Sequence, residues 1–89
     1  MNKVEFYKRN TNEKIVWEGD LDDDCIANWA GLILRAEWMN ENNWWWWCVY
    51  DALNGKIQID SSNNYKNYYK NGESARKKAE QIAKEYLKV

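Results

Sequence analysis

Histidine and proline are absent from these 89 residues, cysteine occurs only twice, and the formal charge is close to zero at −1. Without histidine the chain lacks the usual general base, the side chain that titrates near neutrality and the commonest metal ligand. That counts strongly against an enzyme. Cys25 and Cys48 are too few for a disulfide scaffold or a zinc site and read as reduced core thiols of a cytoplasmic protein. The 13 Lys and Arg against 14 Asp and Glu supply no net basic field, so nucleic acid is an unlikely partner and a membrane surface is not expected. No leader pattern opens the chain and no long apolar run follows it, so neither export nor membrane insertion is expected. No motif implies a cofactor or a metal.

Aromatic side chains are what the chain has in excess, with seven tryptophans and six tyrosines. Four tryptophans are consecutive, Trp44 to Trp47, and run into Cys48, Val49 and Tyr50. Aromatic and β-branched residues favour a pleated, half-buried surface, and turn signals bracket this run: Asn40 to Asn43 before it, Asn54-Gly55 after it. Asn-Gly is a strong hairpin signal. A two-residue loop would set Tyr50 opposite Ile59 and Val49 opposite Asp60, with paired residues on one side of the sheet. Trp44, Trp46, Cys48 and Tyr50 then share a face with Ile57 and Ile59 and are expected in the core. Trp45, Trp47 and Val49 share the other face with Asp51, Gln58 and Asp60 and are expected to look outward.

Residues 3–18 read as a second hairpin, with Val4 to Lys8 and Lys14 to Glu18 around a polar turn at Asn10 to Glu13. This pairing puts Tyr7 and Val16 on its outer face. Asp20, Asp22 and Asp24 mimic the start of a calcium loop, but the required sixth-position glycine is Cys25 and the closing glutamate is Gly31. Helix capping by Asp22 or Asp23 is the better account. A first helix is therefore expected from about Asp23 to Asn40, with Cys25, Ile26, Trp29, Leu32, Ile33, Ala36 and Met39 on one apolar face. Ala27, Ala30, Gly31, Leu34 and Trp38 make a second stripe, either covered by another helix or forming a self-association seam anchored by Leu34 and Trp38.

Residues 61–72 favour a loop or short extra strand, pinned by Tyr65, Tyr68 and Tyr69. Ser74 is the expected cap of a second helix, Ala75 to about Leu87, which buries Ala75, Ala79, Ile82, Ala83 and Tyr86. Lys66 and Lys70, with Arg76, Lys77, Lys84 and Lys88 on that helix, would be the contacts if nucleic acid were the partner. Residues 1–45 carry five basic against nine acidic side chains and residues 46–89 eight against five, so head-to-tail pairing of two copies is electrostatically feasible.

The order expected is ββαββα in one domain, 1–89, made of two hairpin-helix units at about 1–43 and 44–89. The second unit contains an aromatic strand, Asn54-Gly55-Lys56-Ile57, Ser61-Ser62, Tyr65 and an alanine-bearing helix from Ala75 to Ala83. It resembles the small bacterial ββα repeat domains of the YegP-like family, a resemblance that covers about half the chain and implies a ββα fold for that half but no biochemical role; the first half lacks the family's glycine-rich junctions. The resulting fold class is α+β: a two-layer sandwich with a four-stranded antiparallel sheet and two helices on one face. The other face would display Tyr7, Val16, Trp45, Trp47 and Val49, an aromatic surface large enough to mark an interaction site.

That surface points to a non-enzymatic protein-protein interaction module, self-associating as a homodimer or binding a larger protein as an inhibitor or adaptor. Small inhibitors from phage or mobile elements look like this by class analogy. The alternatives are nucleic-acid binding through the tyrosine and lysine residues named above, and small-ligand or sugar binding in a tryptophan-lined pocket.

Overall fold

The structure is a computed structural model that describes residues 9–66 and 68–89. Its five strands follow one another as a meander: β1 (Glu18–Asp20), β2 (Asp24–Trp29), β3 (Leu32–Met39), β4 (Trp44–Asp51) and β5 (Ile57–Ser61). All pairs are antiparallel and the sheet order is the chain order. A short 3-10 turn, Ser62–Asn64, leads through a loop to the helix α1 (Gly72–Leu87). The architecture is thus one five-stranded sheet with a single α-helix among the described residues, which corrects the expected ββαββα order, four strands and two helices. Residues 44–89 do form two strands and a helix; residues 9–43 do not. The proposed strand Val4 to Lys8, with Tyr7, lies outside the described residues, and Lys14 to Trp17 precede the first strand. No helix among the described residues is long and apolar enough to cross a membrane.

The expected first helix is a hairpin because residues 24–39 satisfy a period of two better than one of 3.6. Cys25, Ala27, Trp29, Leu32, Leu34 and Ala36 are buried, while Asp24, Asn28, Ile33, Arg35 and Glu37 between them are not. Helical spacing divides these side chains into two unrelated apolar stripes; strand alternation places Cys25, Ala27, Trp29, Leu32, Leu34, Ala36 and Trp38 on one side. The hairpin turns at Ala30-Gly31, both with positive φ, 51° and 77°. That is the tight turn whose twist matches the strands. The aspartate run turns the chain from β1 to β2, with the Asp23 amide bonded to the Asp20 carbonyl at 3.1 Å and the Asp22 amide to the Asp20 side chain at 2.9 Å.

The core lies between one sheet face and α1. The sheet contributes large side chains, Trp29, Leu32, Leu34, Trp45, Trp47 and Val49; the helix contributes small ones, Ala75, Ala79 and Ala83, with Ile82. Small residues four apart on a helix let its backbone approach a bulky surface closely, so the two layers fill each other's gaps. Asn71 rather than Ser74 is the cap, its side chain accepting from the Ser74 amide at 2.8 Å. Tyr86 lies only at the border of this core, 36% exposed.

The facing of β4 is the reverse of the expected one. Trp45, Trp47 and Val49 point at the helix with Asp51, whereas Trp44, Trp46 and Tyr50 are half-buried on the opposite face. The expectation took Asp51 as a marker of the solvent side and Ile57 as a marker of the core. Asp51 is fully buried in an ion pair, and Ile57 is 48% exposed. Register fails in only half of the hairpin. Val49 pairs with Asp60 as the two-residue loop requires, but an irregularity between Val49 and Tyr50 shifts Tyr50 to Gln58 and Asp51 to Ile57. A five-residue connection, Ala52 to Lys56, results. Its first turn is held by the Asp51 side chain, which accepts from the Leu53 amide at 3.1 Å.

Candidate interaction surface

Two places concentrate chemistry: a buried polar clasp on the helix side and an open aromatic face on the other. The clasp forms where the β2–β3 and β4–β5 turns meet the end of α1. Arg9 donates through Nη2 to both Asp51 oxygens at 2.8 and 2.7 Å and through Nη1 to the Ala30 carbonyl at 3.0 Å. The Tyr86 hydroxyl donates to Asp51 Oδ2 at 2.8 Å. Burial alone would raise the Asp51 carboxyl, but donation from Arg9, Tyr86 and the Leu53 amide outweighs it and holds the group below its ordinary value. The same bond pushes the Tyr86 phenol up. With every Asp51 oxygen occupied by donors from its own chain, the clasp is a tether for the segment that begins at Arg9. Trp29 and Trp17 continue that tether, donating from Nε1 to the Glu13 carbonyl at 2.8 Å and to Glu80 Oε2 at 2.9 Å.

The open face is built in rows across β2, β3 and β4, because side chains paired in register stand on one side of a sheet. Asp24, Glu37 and Trp46 form one row; Ile26, Arg35 and Cys48 the next; Asn28, Ile33 and Tyr50 the third; Met39 and Trp44 close the far end. None of α1 lies on this side. Asp24 and Glu37 are like charges in one row, which is unfavourable unless a cation relieves them. Arg35 Nη2 does so, at 3.4 Å from Asp24 Oδ1 and 3.9 Å from Glu37 Oε1, and its guanidinium lies 5.7 Å from the Trp46 ring centroid. Cys48, beneath them, is a neutral thiol: burial pushes it up to about 11 against the opposing effects of Tyr50 and Arg35.

The loop after β5 grips β4 from both sides. Tyr65 packs its ring 5.8 Å from Trp47 and Tyr68 packs 4.7 Å from Trp44. Tyr69 takes the place of β5 beside the start of β4, its carbonyl accepting from the Trp45 amide at 2.8 Å. Tyr68, 57% exposed, extends the aromatic surface beyond the end of the sheet.

Compared with family models, curated proteins and solved structures, the chain matches none.

Of the residues singled out from sequence for protein contact, Tyr7 lies outside the described residues and the other six do not lie together on a surface. Trp45, Trp47, Val49 and Leu34 are core, and Trp38 is half-buried at its border, donating to Asn40 Oδ1 at 2.7 Å. Val16 is exposed on the segment before β1. Ile26, Ile33, Met39, Trp44, Trp46 and Tyr50 on the open face were the ones missed. For Ile26, Ile33 and Met39 the alternation that would have found them was present in 24–39, but the helical reading of that run concealed it; Trp44, Trp46 and Tyr50 were assigned to the core because Asp51 marked the other face of β4 as the solvent side. The basic set is spread out. Lys70 donates to the Asn43 carbonyl at 3.1 Å, Arg76 to the Leu21 carbonyl at 3.0 Å, and Lys77 pairs with Glu73 at 3.2 Å. Lys66 is in the loop, while Lys84 and Lys88 sit at the far end of α1, roughly 18 Å along the helix from Arg76 to Lys88. The tryptophans likewise do not share one wall, since Trp29, Trp45 and Trp47 face the helix and Trp44 and Trp46 face away. Among the described residues no three His, Cys, Asp or Glu side chains gather in a metal-binding group.

Proposed function

We propose that this chain is a non-enzymatic protein-protein interaction module that binds through the open sheet face, with Trp44, Trp46 and Tyr50 as anchors. One observation carries the reading: β2, β3 and β4 place six large apolar side chains, Ile26, Ile33, Met39, Trp44, Trp46 and Tyr50, on a face that α1 does not cover. Core packing requires only the opposite face. Tryptophan and tyrosine are the residues that dominate binding energy at protein interfaces, and arginine shares that role; Arg35 stands among them. The acidic row Asp24 and Glu37 disfavours phosphate, which supports protein over nucleic acid. Buried, unpaired thiols at Cys25 and Cys48 suit a reducing compartment, so we assign the chain to the cytoplasm as part of the same proposal.

A photo-crosslinking amino acid placed at position 46 of the full chain tests this in cells, with position 84 on the outward side of α1 as the control. Protein adducts from position 46 and few from position 84 are expected. Equal yields from both, or none from position 46, would remove the open face as the contact surface.

A further inference from the structure

The interaction reading leaves the occupant of the face unnamed, and the order of side chains along β3 names one. Reading outward-facing positions in turn, β3 presents Ile33, Arg35, Glu37 and Met39: apolar, cation, anion, apolar. Its neighbour β4 presents Tyr50, Cys48, Trp46 and Trp44 in the same rows. This pattern is its own complement under a half-turn. A two-fold axis lying in the plane of the face and crossing β3 between Arg35 and Glu37 sets Arg35 of each copy on Glu37 of the other. The same operation places Ile33 on Met39, Tyr50 on Trp44, and the bulky Trp46 over the small Cys48. Along β3 and β4 each apolar position meets an apolar one and the two central charges meet opposite charges, while on β2 the same operation sets Ile26 beside Asp24 of the other copy.

We infer that the open face is covered by a second copy of this chain, packed sheet on sheet about that axis; the inference rests on the interaction reading above. Isologous contacts have this property, that residue i meets j and j meets i. Two sheets packed face to face interdigitate at about 10 Å with strands aligned to within roughly 30°, which the half-turn provides. The groups needed for the central contacts are unspent within one chain. Arg35 uses Nη2 alone for Asp24 and Glu37, and the second oxygen of each carboxylate has no hydrogen bond among the described residues. All three side chains are part-exposed, at 36%, 47% and 38% for Arg35, Asp24 and Glu37. The size is also suitable. Strands of eight residues span about 26 Å and five strands about 19 Å across, a projected area of several hundred Å². With side-chain relief this is on the order of the ~800 Å² per partner found in stable interfaces.

The decisive experiment is the solution mass of the full chain over a concentration series, by sedimentation equilibrium, for the wild type and four preparations. Wild type is expected at twice the chain mass. Arg35→Glu alone and Glu37→Arg alone should each weaken association at least tenfold. The reversed pair, Arg35→Glu with Glu37→Arg, should restore it. Mixing the two single variants should give a heterodimer, an outcome that repair of contacts within one chain cannot produce. A dimer unaffected by the single variants, or a mixture with no heterodimer, would overturn the arrangement. A wild type that remains monomeric into the hundreds of micromolar would overturn the second copy altogether. Carbene footprinting of that monomer then separates the two proposals: heavy labelling of Trp44, Trp46 and Tyr50 leaves the interaction reading standing with a different protein as partner, and protection of all three removes both. Circular dichroism on each variant establishes that a lost dimer is not a lost fold.

Discussion

Asp51 is the residue on which both the architecture and its misreading turn. A carboxylate without access to water is tolerated when its charge is paired and its remaining lone pairs are bonded, and here Arg9, Tyr86 and the Leu53 amide do both. Such a pair adds little net stability compared with an apolar replacement, but removing one member leaves a buried charge uncompensated and costs about 3–5 kcal/mol. Arg9→Met is therefore expected to destabilise the chain by that order in urea unfolding at neutral pH. The pH dependence follows from the depressed carboxyl. Its contribution is complete above the unfolded-state value of ~3.9 and is lost as pH falls through the lower folded-state value. Asp60, held low by Tyr65 and Asn64 against its own burial, acts in the same direction. The unfolding free energy of the wild type should fall between about pH 5 and pH 2, and fall less steeply in Asp51→Asn. Parallel profiles for the two proteins would mean that the clasp is not formed in solution.

At the scale of elements, β4 separates two populations of tryptophan within one run. Trp47, 1% exposed, should cost about 3–5 kcal/mol on replacement by alanine, while Trp46→Ala, on the open face, should cost no more than about 1 kcal/mol in the dissociated chain. Urea titrations of the two variants at low protein concentration check this, and equal losses would contradict the facing of the strand. The contact between layers is testable at Gly72, where an added Cβ would lie 2.9 Å from two ring atoms of Trp45. Gly72→Ala should therefore lose about 1–3 kcal/mol from overpacking, despite alanine's better helix propensity, and circular dichroism with thermal unfolding would register it. Much of this level was legible in the sequence. The Trp44 to Tyr50 strand and the alanine-spaced helix ending at Leu87 declare themselves by composition and by a spacing of four. The β2–β3 hairpin does not, because its apolar residues satisfy both periods. Its turn also depends on Ala30 adopting a left-handed conformation that alanine seldom signals. The facing of β4 was illegible for a different reason: the polarity of Asp51 predicts exposure unless Arg9, 42 residues earlier, is known to reach it.

For the molecule as a whole, a meander keeps neighbours in sequence as neighbours in space, so each strand needs only the one before it. Contacts of this kind assemble quickly, since little chain entropy is lost before each is made. Among the described residues the outermost strands are β1, three residues long, and β5, irregular near Ile59, features that discourage further strands from adding. The faces are treated unequally. The layer that completes the core, α1, is made after all five strands, and twenty residues separate it from the strand carrying Trp45, Trp47 and Val49. During synthesis at about 5–20 residues per second, a finished sheet must therefore present aromatic surface on both sides for a period on the order of seconds before α1 arrives. The nascent chain is at its most adhesive just before α1 emerges, and chaperone contact in that interval belongs to the sheet, not to the helix.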